Sequence, residues 1–372
     1  MKDIGMIPWL LFRNHQVKAE LVCYRNGDYP SLQTDYRDFP LHFIKKTIFG
    51  RYYDGMHYLK YEAESIDVLN LYHLNAASFL YERVYQKYNP LGRIYLKLDL
   101  NNKGFADCFR FTLKGMVKRA ILKKADIVSV ENTDMYEALK KRFGEKVIFL
   151  PNGYCIPDTP ETGKKENILL TVGNLGTPEK ATDLLLNAFA KSADHHDYTL
   201  RLIGPVMPAF EQEIDAFFQK YPHLKDRITF PGPIADRKEL LSEYAKARYF
   251  LLPSRSESFG FVLLEAALCG CYLIVSDGCS AARDITNNER FGTIVPADDE
   301  KALSDALIRL CREKPDEEAS LQRENEEAAY IRQAYDWNTI IKHLYQVLTP
   351  RQEELLQSSG PVSPTEPSGS AS

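Results

Sequence analysis

Cysteine is sparse in this chain: seven residues in 372, scattered, with Cys269-Gly-Cys271 as the only close pair. An odd count without CxxC or Cys/His spacing excludes a disulfide scaffold and a zinc module, and implies reduced thiols. Long apolar runs are missing too. None approaches the ~20 residues that a membrane-spanning helix requires. The opening MKDIGMIPWLLFRNH carries an early Asp3 and no small-residue cleavage site, so it does not read as a secretion signal. Internal repeats are lacking as well. These absences predict a cytoplasmic protein.

What remains is an ordinary globular composition, 44% hydrophobic and 26% charged, in a chain long enough for two domains. The net charge of −4 is unevenly spread. Residues 1–150 hold 24 Lys and Arg against 17 Asp and Glu, whereas the remainder holds 23 against 34. A basic N-terminal half suits an anionic partner such as a membrane surface or a lipid-linked acceptor. No recognition motif accompanies the charge, so nucleic acid is not the expected partner.

Apolar segments alternate with helical ones, which predicts parallel α/β sheets. In the first half, strands are expected at 65–74, 94–100, 126–132 and 146–154, with a basic amphipathic helix at 110–125. In the second, they are expected at 167–176, 198–205, 227–234, 249–254, 271–277 and 292–297. These second-half strands lack alternation, as in a sheet covered on both faces. The expected division is an N-terminal domain at 1–154, a linker at 155–166 and a second domain at 167–334. An amphipathic helix at 335–349 follows, then a Ser/Pro/Gly-rich tail at 350–372 expected to be disordered.

The most informative segment is ESFGFVLLE, from Glu257 to Glu265. It follows the apolar run YFLLPSRS and leads into FVLLEAAL, so it reads as strand, small-residue loop and helix start. Free N–H groups and the positive end of the helix dipole make such a junction an anion site, and Gly260 allows a phosphate close to the backbone. Glu265 lies one turn into the helix, about 6 Å along its axis from Phe261, suitably placed for a ribose diol. Glu257, on the loop, would reach the opposite side of the phosphates. The two acids alone would equally fit a solvated loop and an exposed helix.

PSRSESFGFVLLEAALCGCYLIVSD resembles the donor-site signature of retaining glycosyltransferases of family four, and the likeness extends over roughly residues 60–349. The resemblance implies a GT-B fold, two Rossmann-like domains facing across a cleft. It further implies a nucleoside diphosphate sugar as donor substrate, no cofactor and no required metal. Lys180 matches the family's phosphate-binding lysine, and Asn174, after Gly173, stands where a second cation is usual. Arg255, on the neighbouring loop, either compensates for that missing charge or is a surface residue. The Gly260, Phe261 and Val262 segment would receive the diphosphate, Glu265 the ribose, and Glu257 the sugar hydroxyls. Gly232 and Ile234 match a base-binding loop, or form an ordinary strand-to-helix turn. Asn152-Gly153 matches the interdomain hinge, and the 335–349 helix would cross back to the first domain.

On the acceptor side, three residues end predicted strands: His73, Asp99 and Glu131. His73 is a catalytic or a structural residue. Asp99 matches the acid of a family His-Asp pair, with Leu98 in place of the histidine. Ser280, Ala281 and Asp284 replace the family's glycine pair and glutamate. The family's first strand and glycine-rich loop have no counterpart before residue 2, which predicts a sheet beginning at its second strand, with an open edge or a vacancy near the cleft. The helix expected at 110–124 is either packed with a solvated cationic face or in peripheral contact with anionic lipid.

The function read from the sequence is that of a metal-independent, retaining hexosyltransferase of polysaccharide biosynthesis, cytoplasmic or peripheral at the inner membrane face. It would move a sugar to a glycan or lipid-linked glycan. Two alternatives stand beside it: a non-catalytic GT-B subunit that binds a glycan or a partner transferase, and a GT-B sugar-nucleotide epimerase.

Overall fold

In a computed structural model, residues 3–27, 36, 38–155, 164–313 and 316–349 are described. The expected linker falls largely outside these residues, and the expected disordered tail entirely so.

The first sheet holds four parallel strands in the order β3-β4-β5-β6, where β3 is Val68–Tyr72, β4 Arg93–Lys97, β5 Ile127–Val130 and β6 Val147–Phe149. Alternation along each strand divides the core. Ile94 and Leu96 of β4 face the helices Gly50–Glu62, Ala76–Tyr88 and Leu113–Lys124, whereas Tyr95 faces the helices Asp3–His15 and Trp337–Leu348. The C-terminal helix thus packs on the first sheet, fixed further by Arg93 donating to the Leu348 carbonyl at 2.9 Å. Gly153 permits this contact: a Cβ there would lie 2.5 Å from the Trp337 ring.

The strand expected to follow the first helix does not join this sheet. β1 (Leu21–Cys23) and β2 (Leu41–Phe43) pair in parallel with each other as a separate two-stranded sheet, and among the described residues β3 forms the edge. The basic helix expected at 110–125 forms over Leu113–Lys124. The chain forms the helix Asn102–Phe109, turns, and restarts at Leu113, because the Thr112 side chain caps the new helix by accepting from the Gly115 amide at 3.1 Å. Asp336 acts similarly between Glu317–Tyr335 and Trp337–Leu348, accepting from the Asn338 amide.

The second sheet has six parallel strands in the order β12-β11-β10-β7-β8-β9. They are β7 Glu166–Val172, β8 Thr199–Ile203, β9 Ile228–Gly232, β10 Ala247–Leu252, β11 Tyr272–Ser276 and β12 Gly292–Val295. One face, with Leu169, Leu200 and Leu251, packs on the helices Thr182–Ser192 and Glu300–Arg312. The other, with Leu170, Phe250 and Leu273, packs on Arg237–Lys246, Phe261–Leu268 and Glu317–Tyr335. β10 and β11 are thereby buried on both sides, which accounts for their apolar runs, whereas the edge strand β9 leaves Thr229 and Pro231 exposed. After β7 the chain builds outward through β8 and β9, then returns to place β10 on the opposite side. The strand order reverses between β7 and β10, and a crevice opens at their carboxyl ends, where ligands bind in open α/β sheets.

Candidate functional site

The two loops leaving that switch point carry the donor-site candidates. After β7, Gly173 and the exposed Asn174 lead to a short 3-10 turn at Pro178–Lys180. Ala181 follows in the left-handed conformation (φ +52°) although fully buried, a corner costing about 1 kcal/mol for a residue with a Cβ. The corner folds Lys180 back over the strand end: a Cβ on Gly173 would lie 3.7 Å from Lys180 Cε. The Lys180 ammonium meets the Glu257 carboxylate from the β10 loop in a half-buried ion pair. Glu257 is held by its backbone, donating to the Gly278 carbonyl at 2.9 Å and accepting from the Ser280 amide at 3.0 Å.

Arg255 differs from its expected part. Its guanidinium makes a bidentate pair with Asp183 at 2.6 and 2.9 Å, reaches Asp298 through Nε at 2.6 Å, and donates to the Pro178 carbonyl at 3.0 Å. These partners consume its fork, so it braces the Lys180 turn instead of offering a second cation to an anion. Hydrogen bonds from Arg255 hold the Asp183 carboxyl below its ordinary range.

Gly260 begins the helix Phe261–Leu268 in the left-handed region (φ +80°), which glycine adopts without strain. A Cβ there would sit 3.0 Å from Leu252 Cδ2. No side chain caps this helix start; Phe261 and Val262 are half-buried at its mouth. One turn on, Glu265 is oriented by two groups that the sequence did not suggest. The Tyr244 hydroxyl donates at 3.0 Å and Arg237 at 3.1 Å. Arg237 also donates to the Tyr154 hydroxyl and lies over that ring, 5.3 Å from its centroid. Burial, then the charge of Glu265, pushes the Tyr244 hydroxyl well above its ordinary pKa, so it stays a donor. Gly232 closes β9 at φ +83° with open space beside it, and Ile234 packs at the edge of the core below.

On the other side of the cleft, His73 leaves β3 at φ +68°, a strained conformation for a residue with a Cβ, and its carbonyl accepts from Ser78 Oγ at 2.8 Å. Asp99 is half-buried past the end of β4. Glu131 does not stand open to the cleft as expected. It is buried in an ion pair with Lys97, whose side chain is 0% exposed. Among the described residues, no group of three His, Cys, Asp or Glu side chains is arranged to hold a metal.

Direct contacts close the two sides on each other. Asn101 donates to Ser256 Oγ at 2.9 Å, and Ser280 donates to Asn102 at 3.0 Å. Asp284 accepts from the Thr133 amide at 2.8 Å, capping a helix of the opposite sheet's layer. Burial raises the Asp284 carboxyl above its ordinary value, against the Thr133 bond that lowers it. The Asp at position 284 therefore serves an interdomain contact. Its placement within the short helix Ala282–Ile285 gave no hint of that partner, 151 residues away.

Comparison with known proteins agrees with this architecture. The whole chain superposes on HepE of Anabaena, solved in complex with UDP, with a TM-score of 0.71 at 16% identity, covering 93% of this chain and 94% of that one. Sucrose-phosphate synthase from Thermosynechococcus elongatus gives 0.66 at 19% identity, covering 95% and 92%. The fold is GT-B. In this GT-B chain residues 166–313 match the family model described as "Glycosyl transferases group 1". Among curated relatives, the phosphatidyl-myo-inositol mannosyltransferase of Mycobacterium leprae is 26% identical over 213 residues, 55% of this chain and 54% of that protein. The D-inositol 3-phosphate glycosyltransferase of Frankia alni is 32% identical over 154 residues, 40% of this chain and 37% of its own. The matched region thus spans about half, or less, of these relatives' length. In GT-B terms, the Lys180–Glu257 pair and the Gly260 helix start lie at the cleft-facing edge of the second Rossmann-like domain.

Proposed function

We propose that this protein is a retaining glycosyltransferase of family four that moves a hexosyl group from a nucleoside diphosphate sugar to a glycan or lipid-linked glycan, without a metal. The observation that carries the reading is the Lys180–Glu257 ion pair at the carboxyl ends of β7 and β10, followed in the β10 loop by a helix start at Gly260 that no side chain caps and, one turn on, by Glu265 oriented by Tyr244. The names of the relatives, a mannosyltransferase and a UDP-bound GT-B protein, support the same class.

In this reading the diphosphate lies against the amides of Gly260 and Phe261, and Lys180 leaves Glu257 to neutralise it. Glu265 accepts from the ribose hydroxyls. Glu257, released from Lys180, accepts from the sugar. The anomeric carbon–oxygen bond breaks toward the diphosphate, the acceptor oxygen bonds on the same face, and its proton passes to the departing phosphate oxygen. The chain's own part is positioning and stabilisation of the leaving charge. The seven cysteines, all unpaired, support a reducing cytoplasmic setting.

Calorimetric titration with UDP, GDP and ADP, on wild type and on Glu265→Ala, tests the proposal. Micromolar binding of one nucleotide, lost in the variant, is expected and identifies the base. A folded protein that binds none of the three overturns it.

A further inference from the structure

Of the thirteen large hydrophobic side chains exposed among the described residues, eleven precede residue 150. Two groups of them lie on one layer. Ile48 (95% exposed) and Phe49 precede the helix Gly50–Glu62, and Tyr52 and Tyr53 stand in its first turn. Phe111 and Leu113 open the helix Leu113–Lys124, and Met116 follows one turn on. Both helices pack beside Ala76–Tyr88 on the same face of the first sheet. At the usual helix spacing, the two groups stand about 20 Å apart. The helix Gly50–Glu62 leads into the start of β3 and runs back along it, so its first turn lies toward the strands' carboxyl edge, where the cleft is.

Among the described residues, the exposed charges beside these groups are mainly cationic. Lys45, Lys46 and Arg51 are exposed beside the first, and Arg110 and Lys114 beside the second. The nearby acids are turned away or matched. Asp54 is buried, accepting from Tyr24 and Thr47, and Asp107 pairs with Arg110 at 3.1 Å. Lys118 also turns inward, to the Gly104 carbonyl at 3.2 Å.

We propose that this rim, from both groups together, docks on the surface of an anionic lipid bilayer. Exposed aliphatic and aromatic side chains flanked by the cations Lys45, Lys46, Arg51 and Lys114 match the acyl boundary and headgroups of such a surface. A second copy of the chain would bring like charges together. Docking here sets the cleft against the membrane, so that an acceptor held in the bilayer reaches it. The inference concerns binding and stands whether or not the transfer reaction is as proposed.

Co-sedimentation of the full chain with phosphatidylcholine vesicles, with and without phosphatidylglycerol, tests it. The protein should partition onto the anionic vesicles only, and less so as salt rises. Phe49→Ser with Phe111→Ser, and separately Lys45→Glu with Lys46→Glu, should each lower partitioning about tenfold or more. Unchanged thermal melting identifies the folded variants; the charge pair, being fully on the surface, keeps the test open if the aromatic pair misfolds. Failure to bind either vesicle, or equal binding by the variants, overturns the proposal. So does a loss in the variants of self-association or of soluble polysaccharide binding while lipid binding persists.

Discussion

Lys180 and Glu257, 77 residues apart in sequence, form an ion pair across the carboxyl ends of β7 and β10. Each neutralises the other's charge, and in the proposed reaction a diphosphate separates them. Their substitutions should therefore act in opposite directions. Lys180→Ala should lower kcat/KM by about 10²- to 10³-fold, as loss of a charge stabiliser does, and should weaken nucleoside diphosphate binding. Glu257→Gln should bind the same nucleotide as tightly or more tightly, because Lys180 is released, yet transfer sugar poorly. Paired titration and turnover measurements check this. Equal losses of nucleotide affinity in both variants would show that Glu257 is not on the sugar side.

Arg255 is a brace joining three loops, and its removal should register as stability first. Arg255→Ala deletes bonds to Asp183, Asp298 and the Pro178 carbonyl. With part of the group open to solvent, the loss should be about 2–3 kcal/mol, and Arg255→Lys should recover only a fraction, since an ammonium cannot make the bidentate pair. Urea unfolding measures this directly. A variant with unchanged stability and much weaker diphosphate binding would instead return Arg255 to the anion site.

The strand–loop–helix frame around ESFGFVLLE was legible because its signals are local: an apolar run, a small-residue loop, and a glycine before a helical stretch. The buried strands of the second sheet were legible for the same reason. Long-range partners left no such trace. Nothing near Glu131 announces Lys97, 34 residues earlier, and nothing near Glu265 announces Tyr244 and Arg237. The break at Thr112 was readable in principle, since threonine two residues after Arg110 is a common cap, but the continuous basic-apolar pattern overrode it. The helix Gly50–Glu62 escaped notice because Tyr52, Tyr53 and Tyr61 face solvent, so its apolar residues do not trace one buried stripe.

The buried pair Lys97–Glu131 should prove structural. Replacing only one partner strands a charge with 0% to 2% side-chain exposure, at a cost of about 3–5 kcal/mol. Glu131→Leu and Lys97→Met should each show that loss, and the double variant should recover most of it. Denaturant unfolding of the four proteins in a double-mutant cycle reads the coupling. Additive losses would mean that the pair is not what holds these residues, and would reopen a cleft role for Glu131.

Glu82 makes stability depend on pH. It lies on the buried side of the helix Ala76–Tyr88, and burial raises its pKa to about 7, against the opposing pull of Arg83, Lys124 and Lys146. The folded state therefore holds a proton that the unfolded chain has already lost. The favourable contribution is complete below the unfolded value near 4.5 and disappears as pH rises through 7. Glu82→Gln keeps the shape and removes the titration. It should gain on the order of 2–3 kcal/mol over wild type at pH 8, with the gap closing as pH falls toward 4.5. Urea unfolding of both proteins across that range measures the difference, and a gap that does not change with pH would mean that Glu82 is charged in the fold throughout.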